Sequence, residues 1–459
     1  MRTRAPAAVV LLFAAAACSS SGTHASGSPA TTDAGDAGRY DGPACGPGDV
    51  VCASGCQPES VVACGASCTM CPQPAPSHGA ADCVSGRCTF QCAGGYAMCA
   101  TQSCCGAETM GDVAAIAVGG ATTCAVAMGG LVGCWGSGEY GALGDGMTAG
   151  FSVVPVQANG LSGVTQLSLG DRHACALVTG GKVRCWGDDT QGQLGDNART
   201  PSGTATMVSG ITGGVTAVAA GGMHTCAIAS GGAVKCWGDD MSGQLGNGQS
   251  TGSSVVPVAV SGLASGATAI AAGEGFTCAV VSGGAVRCWG DGLHGQLGGP
   301  MSSATPVSVA MPAPVTAIAA GFNHVCALTM GGSVVCWGAD DMGQLGSMQG
   351  ETSATPVAVP GLSGVVAIAA GGNESCALDG AGAVHCWGED PVGDVGSGPA
   401  QPGIVPSLAS GVGHIAVVTG HACAVTTGGA PKCWGANESG DLGDGTMTPS
   451  WVPIDVSGI

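Results

Sequence analysis

The chain has 459 residues, of which 86 are glycine and 27 are cysteine, and only 9% are charged. This composition is too apolar for a disordered protein, and the scarcity of Lys, Glu and Arg excludes long, salt-bridged helices. The formal net charge of -19 repels phosphate backbones, so it argues against nucleic acid as a partner and favours basic or neutral partners.

Residues 1–18 have the pattern of an export signal. Arg2 and Arg4 precede an apolar run at 7–17, which has about half the length that a membrane span needs. The three alanines before Cys18 resemble the end of a bacterial lipoprotein signal, which would place a lipid on Cys18. Ordinary signal cleavage and a secretory cysteine without lipid are the alternatives. Each implies an exported protein, at the outer membrane, at the cell surface or outside the cell, where cysteines oxidise.

A linker and a cysteine-rich segment follow the signal. Residues 19–44 contain almost no large apolar side chain, which is typical of a flexible tether. Residues 45–106 are dense in cysteine but hold too few apolar side chains for a core, so we expect a small module held by disulfides. The run from Cys83 to Cys99 resembles an EGF-like module. The sequence leaves the cysteine pairing in this module open.

From residue 110 to 459 one motif occurs seven times. Short apolar runs separated by glycine pairs predict about four consecutive antiparallel strands in each copy. Such a small sheet cannot bury both of its faces alone, so the sequence predicts an all-β, seven-bladed β-propeller of about 50-residue repeats. An open stack of sheets is the alternative. Each copy contains Cys-Trp-Gly, with tryptophans 47 to 52 residues apart, at Trp135, Trp186, Trp237, Trp289, Trp337, Trp387 and Trp434.

Two kinds of strand can be placed within a blade. The strand of the Thr-Ala-Ile-Ala-Ala-Gly type has the smallest side chains and fits near a crowded central axis. Proline belongs at a sheet edge, which predicts that the segments around Pro155, Pro257, Pro306, Pro356 and Pro453 are outermost strands. Glycines recur one, six and nine residues after the tryptophans, where we expect positive φ or close backbone approach.

Three motifs resemble the repeat of the regulator of chromosome condensation family: Gly-x-x-His-x-Cys-Ala-Leu, Gly-x-Val-x-Cys-Trp-Gly and Gly-Gln-Leu-Gly, as at 170–177, 181–187 and 192–195. The resemblance covers 110–459 and implies a seven-bladed, protein-binding propeller. The histidine is replaced by Thr122, Phe276 and Glu374 in copies one, four and six, and the last motif becomes Gly-Asp-Val-Gly at 393–396 in copy six. We expect those three units to be less regular.

Each copy also holds two cysteines ten residues apart and equidistant from a glycine-containing turn. In a hairpin they would lie directly opposite each other, so we predict one disulfide per blade at a non-hydrogen-bonded position. Buried free thiols are one alternative, and zinc, which would require two pairs to converge, is another. The predicted pairs are Cys124 with Cys134, Cys175 with Cys185, Cys226 with Cys236, Cys278 with Cys288, Cys326 with Cys336, Cys376 with Cys386, and Cys423 with Cys433.

No motif of a hydrolase nucleophile, zinc helix, phosphate loop or calcium loop occurs, so we predict no catalytic, cofactor-binding or metal residue. The recurring histidines could form a metal or catalytic site if they met at the axis. We expect instead that each bonds backbone within its own blade. They are His173, His224, His324 and His421.

Charged residues flank the Cys-Trp-Gly motif. Acidic doublets follow it at 188–189, 239–240, 340–341 and 389–390. We expect these carboxylates to bond their own turns and stay hydrated; the alternatives are a negative rim for a basic partner and a calcium site. Basic residues before the motif are expected to pack on the tryptophans, namely Arg184, Lys235, Arg287 and Lys432.

The leading hypothesis for function is an exported binding scaffold, not an enzyme. The blades would serve as a frame, and a partner protein, for which the negative net charge favours a basic one, would contact the non-repeating segments 146–152, 197–204, 249–254, 299–304 and 348–353. A secreted hydrolase or lyase with a cleft on one propeller face, and a surface glycan-binding protein, are the alternatives. The family resemblance implies protein binding but not nucleotide exchange, because an exported protein does not meet a small GTPase.

Overall fold

The computed structural model describes residues 111–347, 350–389 and 401–459, together with the backbone of six short strands before them. Those six strands form three two-stranded sheets. They are β1 (Asp49–Cys52), β2 (Gly55–Pro58), β3 (Gly79–Val84), β4 (Arg87–Cys92), β5 (Tyr96–Met98) and β6 (Cys104–Gly106). The predicted export signal, Cys18 and the linker lie outside the described residues. Within the described part of the chain, no helix is long and apolar enough to span a membrane.

The chain divides into two compact units, the second of which includes residues 106–459. This unit contains seven four-stranded antiparallel sheets, each built from consecutive strands. Blades 1 to 4 consist of β7 (Val113–Gly119), β8 (Thr122–Ala127), β9 (Val132–Ser137) and β10 (Phe151–Gln157); β11 (Val164–Leu169), β12 (His173–Val178), β13 (Lys182–Gly187) and β14 (Ser202–Met207); β15 (Val215–Ala220), β16 (His224–Ala229), β17 (Ala233–Asp239) and β18 (Ser253–Ala259); and β19 (Ala267–Ala272), β20 (Phe276–Val281), β21 (Ala285–Asp291) and β22 (Ser302–Val309).

Blades 5 to 7 repeat the same order. They consist of β23 (Val315–Ala320), β24 (His324–Thr329), β25 (Val334–Gly338) and β26 (Ser353–Ala358); β27 (Val365–Gly371), β28 (Glu374–Asp379), β29 (Val384–Gly388) and β30 (Gly403–Ile404); and β31 (Val412–Val418), β32 (His421–Thr426), β33 (Pro431–Gly435) and β34 (Ser450–Asp455). A short 3-10 helix, Glu139–Gly141, follows β9. The predicted all-β, seven-bladed fold is confirmed.

The ring closes by packing between blades. The first strand of each blade contacts the first strand of the next, and β31 of blade 7 contacts β7 of blade 1. No described sheet takes strands from both ends of the repeat region. The predicted strand order is also confirmed, because the small-residue strands line the axis and the five proline-containing strands, β10, β18, β22, β26 and β34, lie at the outer edge.

The hydrophobic core lies between the blades. In the cluster between blades 2 and 3, Cys175, Val183 and Leu194 of blade 2 pack with Val218 and Trp237 of blade 3. The seven tryptophans of the Cys-Trp-Gly motifs are all almost completely buried in this way. Because each blade buries its apolar face only against a neighbour, stability depends on the seven joints between blades.

The blades without the recurring histidine were expected to be less regular. That expectation is wrong for blades 1 and 4, whose second and third strands keep the pairing register of the other blades. Blade 6 does have a short fourth strand, β30, of two residues. The register survives because it depends on the hairpin and on the buried tryptophan, and the side chain at the histidine position does not set it.

The ring has two surfaces, which we name by the connections that form them. The loop face carries the turns between first and second strands and the long connections between third and fourth strands. The turn face carries the short turns between second and third strands and the links between blades. The non-repeating segments also lie on the loop face, because each consists of the end of a third-to-fourth connection and the first residue or residues of the fourth strand. They are 146–152, 197–204, 249–254, 299–304 and the described residues of 348–353.

Inter-blade joints and the acidic loop face

The two cysteines of each blade are paired across the second and third strands. Their Cα atoms are 4.0 to 4.1 Å apart, and their sulfur atoms lie at disulfide-bonding distance. A separation this short belongs to the closer, non-hydrogen-bonded type of antiparallel pair. The predicted placement is therefore confirmed, and the oxidised state in solution stays a prediction.

A loop of one blade docks on the tryptophan of the next. The indole N–H of Trp237 in blade 3 donates to the carbonyl of Gln193 in blade 2 at 2.9 Å, and Leu194 is buried beside it. Gly195 lies so close that a Cβ there would be 2.7 Å from the indole of Trp237. The glycine nine residues after the tryptophan is thus required by close approach. The same indole bond occurs at Trp135, Trp186, Trp289, Trp337 and Trp387.

The recurring histidines also act at these joints. His224 Nε2 lies 2.8 Å from the hydroxyl of Thr277 in the next blade, and that hydroxyl donates to the carbonyl of Gln244 at 3.1 Å. Because the hydroxyl proton is used there, Nε2 is the donor to Thr277. His173, His324 and His421 make the corresponding contacts with Thr225, Ser375 and Thr123. The expected backbone partner within the same blade is therefore wrong: the partner is a side chain of the neighbour.

Every joint histidine faces a Thr or Ser hydroxyl of the next blade, and joints without the histidine also lack the hydroxyl. The three joints without histidine have Thr122, Phe276 or Glu374 at its position, and the residue facing it from the next blade is then Ala174, Val325 or Ala422. Phe276 and Val325 pack in one apolar cluster. This correspondence was present in the sequence, but it becomes visible only when a residue of one repeat is compared with a residue of the following repeat.

The joint histidines are neutral structural groups. Burial lowers the pKa of His173, His324 and His421 to about 4 and that of His224 to about 3. The rings of His173, His224 and His324 pack against a glycine three residues earlier; a Cβ on Gly221 would be 2.8 Å from His224 Nδ1. Since each ring serves its own joint, these histidines do not form a shared metal or catalytic site. Among the described residues, no group of three or more metal-ligating side chains occurs.

The acidic doublets have divided roles. Asp189, Asp240 and Asp340 are buried, and each accepts the backbone N–H of the leucine five residues later at 2.9 to 3.0 Å. They bond their own loops, as expected, but the expectation that they stay hydrated is wrong. Burial raises the pKa of Asp189 and Asp240 to about 6, against the lowering effect of these backbone bonds. Asp390 lies outside the described residues.

The four basic residues before the tryptophans were expected to pack on the indole rings. Arg184 instead donates to the carbonyl of Ala205 at 3.1 Å, and Lys432 pairs with Asp455 at 2.5 Å. A cation-π contact is found on the loop face, where the Arg172 guanidinium lies 5.3 Å from the centre of the Tyr140 ring. The indole positions are already enclosed by the neighbouring loop, which leaves no exposed ring face for a cation.

The loop face is strongly acidic. Among the described residues, its exposed carboxylates are Glu139, Glu274, Asp341, Glu351 and Glu438. Its basic side chains are Arg172 and Arg199, and Arg172 is engaged with Tyr140. Exposed apolar side chains are interspersed with the carboxylates: Met147, Met223, Met241, Leu293, Met301, Met342 and Met447. Flexible methionines beside negative charge suit a basic partner with apolar anchor residues.

Fold and surface together define a seven-bladed repeat propeller with buried, interlocking joints and one acidic face. Two models of the regulator of chromosome condensation (RCC1) repeat match the chain, one at 164–193, 215–244, 267–296 and 315–344, the other at 130–177, 232–280, 283–328 and 331–378. The chain belongs to the RCC1 repeat family.

Curated relatives share part of the propeller. The chain is 32% identical over 194 residues to the E3 ubiquitin-protein ligase HERC2 of Mus musculus, which covers 41% of this chain and 4% of that protein. It is 32% identical over 166 residues to the ultraviolet-B receptor UVR8 of Arabidopsis thaliana, which covers 36% of this chain and 38% of that protein. The chain thus spans well under half the length of these two relatives.

Solved structures agree on the fold. Human WBSCR16 is 22% identical, with a TM-score of 0.63 over 71% of this chain and 94% of its own. Prp20p from Saccharomyces cerevisiae is 23% identical, with a TM-score of 0.62 over 71% of this chain and 85% of its own. At this identity the likeness extends to the propeller fold and no further.

Proposed function

We propose that this protein is an exported, surface-anchored scaffold that binds a basic partner protein through its loop face and catalyses no reaction. The observation that carries the proposal is the concentration of exposed carboxylates and methionines on one face of a rigid ring. Electrostatic complementarity of this kind accelerates encounter and selects the partner. The predicted export signal and the predicted lipid on Cys18 support the location.

The similar propellers support a binding role. The Prp20p structure is described together with its binding to Gsp1p and histones, and yeast RCC1 has been solved bound to Kap60. Ligase activity is not carried over from HERC2, because the alignment covers only 4% of that protein. A scaffold also agrees with the chemistry of the joints, where the histidines are buried, neutral and bonded to the next blade.

Affinity capture with the oxidised chain from residue 19 to 459 tests the proposal. The test variant is D341N/E438Q, which neutralises two exposed carboxylates of the loop face. The matched control is D112N/D455N, which neutralises two exposed carboxylates at the turn-face end of the blades. We expect the captured protein to be released as salt rises to about 0.5 M, because the Debye length then falls to a few ångströms.

We also expect capture to fall severalfold with the loop-face variant and to stay near wild type with the control. Equal capture by both variants, or capture that resists salt, would contradict binding through the loop face. Binding to a glycan array with no protein captured would favour the glycan-binding alternative.

A further inference from the structure

Methionine is a surface residue in this ring. Nine of the ten methionines that the structure describes are exposed, by 37 to 73%, and the tenth, Met311, is half-buried against the core between blades 4 and 5. Among the described leucines, by contrast, Leu131 and Leu293 are exposed and the others are buried or half-buried. Leucine and methionine are apolar and of similar volume, so a core accepts either. Apolar character alone therefore does not explain the division, and the sulfur atom is what distinguishes the exposed set.

Six of these exposed methionines lie on the loop face, where the loops fix the backbone and leave the side chain outside. The N–H of Met147 donates to Asp145 Oδ1 at 2.9 Å, and the N–H of Met342 donates to Gln344 Oε1 at 2.9 Å. A chemical change at the sulfur atom leaves such bonds intact. Hydrogen bonds to the backbone also hold Met223, Met241 and Met301 within their own blades. The six are Met147, Met223, Met241, Met301, Met342 and Met447.

The groups that hold the ring together are shielded from a dissolved oxidant. The paired cysteines of the blades and the tryptophans of the Cys-Trp-Gly motifs are at most 2% exposed. Met311 is covered by the cluster that contains Phe276 and Trp337. An oxidant in the solvent therefore reaches the loop-face sulfur atoms before it reaches the core.

A peroxide oxidises a thioether by transferring one oxygen atom. The sulfur lone pair attacks one oxygen of hydrogen peroxide, and the S–O bond forms as the O–O bond breaks. The departing hydroxide takes the proton of the transferred hydroxyl and leaves as water. Sulfur loses two electrons and the peroxide gains them. The product is a polar sulfoxide in place of an apolar thioether, and its oxygen requires a hydrogen-bond donor wherever it is buried.

We propose that the six loop-face methionines are sites of oxidation by hydrogen peroxide, and that their conversion to sulfoxides releases the bound partner while the ring stays folded. This inference rests on the proposed function, because it assigns these methionines to the contact with the partner. A partner that packs apolar side chains on the thioethers would have to bury sulfoxide oxygens instead. One such oxygen without a donor lowers affinity about tenfold.

Peptide mapping after treatment with hydrogen peroxide tests the modification, and it requires no partner. We expect each loop-face methionine of the full chain to gain one oxygen atom, and Met311 to react severalfold more slowly because it is covered. The thermal unfolding midpoint should be the same before and after treatment. Oxidation of Met311 as fast as the loop-face residues, or a midpoint that falls as the loop face is oxidised, would overturn the proposal.

Affinity capture with residues 19–459 tests the release. The chain is treated alone and freed of peroxide before it meets the partner, so that only its own side chains are changed. We expect capture by wild type to fall at least about tenfold after treatment. A variant with leucine at the six loop-face positions keeps the apolar surface and forms no sulfoxide there, so it should capture equally well before and after treatment. This variant is M147L/M223L/M241L/M301L/M342L/M447L.

The matched control is M128L/M207L/M330L, which removes the exposed methionines at the turn-face end of the blades. It should lose capture on treatment as wild type does. Equal capture by treated and untreated wild type would overturn the switch, and so would loss of capture by the treated loop-face variant. The proposed function fails separately, if untreated D341N/E438Q captures the partner as well as untreated wild type does.

Discussion

The joints between blades fall into two groups that hold the same ring by different means. Four joints place a buried histidine against a hydroxyl of the next blade, as His224 does with Thr277. The joint between blades 4 and 5 places Phe276 and Val325 in the same positions, in an apolar cluster. In all of them the tryptophan is buried and the hairpin register is the same. The pair of facing residues, rather than the single residue, is therefore the unit that the fold requires.

The largest effect that separates the two groups should come from acidification. The pKa of each joint histidine is about 3 or 4 in the folded protein, below the ordinary value of 6.5. The unfolded chain then binds more protons than the folded one as pH falls from 6.5 towards 4, so stability falls in that window. Each histidine contributes about 1.4 kcal/mol per pH unit.

Buried aspartates oppose this loss. Burial raises the pKa of Asp189, Asp240 and Asp441 to about 6, so their contribution is lost as pH rises through 6 and returns on acidification. Four histidines outweigh three aspartates, and we expect a net loss on the order of 4 kcal/mol between about pH 7 and pH 5. Urea unfolding across this range measures it. In H224F/T277V the free energy of unfolding should depend less steeply on pH, by an amount equivalent to up to one bound proton. The same pH dependence in this variant and in wild type would mean that the joint histidines are not responsible.

The cysteine pairs should not distinguish the two groups, because every blade has one. Replacing Cys226 and Cys236 by alanine in blade 3, or Cys278 and Cys288 in blade 4, should each cost about 2 to 3 kcal/mol through loss of loop closure. Urea midpoints of the two variants should agree closely. Peptide mapping without reduction supplies the control: if these cysteines can be alkylated in the native protein, the bonds are absent and this prediction is wrong.

Removal of one hydroxyl should affect only a histidine joint. T277V leaves Nε2 of His224 buried with no acceptor, and a buried donor without a partner costs about 1 to 3 kcal/mol. T122V is the matched control, because Thr122 donates to the carbonyl of Ser137 in its own blade and faces no histidine. Thermal unfolding of the two variants checks this. A greater decrease of the unfolding temperature in T122V than in T277V would show that the histidine hydrogen bond contributes nothing to stability.

The sequence predicted what repeats within one blade and missed what passes between blades. Seven tryptophans, prolines on the outer strands and cysteines at equal distances from a turn sufficed for blade count, strand order and cysteine placement. The partner of His224 was missed because it lies 53 residues away, in another repeat. The burial of Asp189 depends on how its loop folds onto the neighbour.

The smallest effect is expected when a whole pair is exchanged. H224F/T277V gives the joint between blades 3 and 4 the residues of the joint between blades 4 and 5, so no polar group is left without a partner. We expect its free energy of unfolding to lie within about 1 kcal/mol of the wild-type value and to be higher than that of T277V alone. The reason is that replacing both partners by apolar groups can be nearly neutral.

The reverse exchange sharpens the comparison. F276H alone would bury an imidazole opposite Val325, whereas F276H/V325T supplies the missing hydroxyl, so the second substitution should recover part of the first loss. A double-mutant cycle from urea midpoints gives the coupling in both joints. Strictly additive losses in both cycles would show that histidine and hydroxyl occur together in the sequence without stabilising each other, and the joints would then be held by the tryptophan and its loop alone.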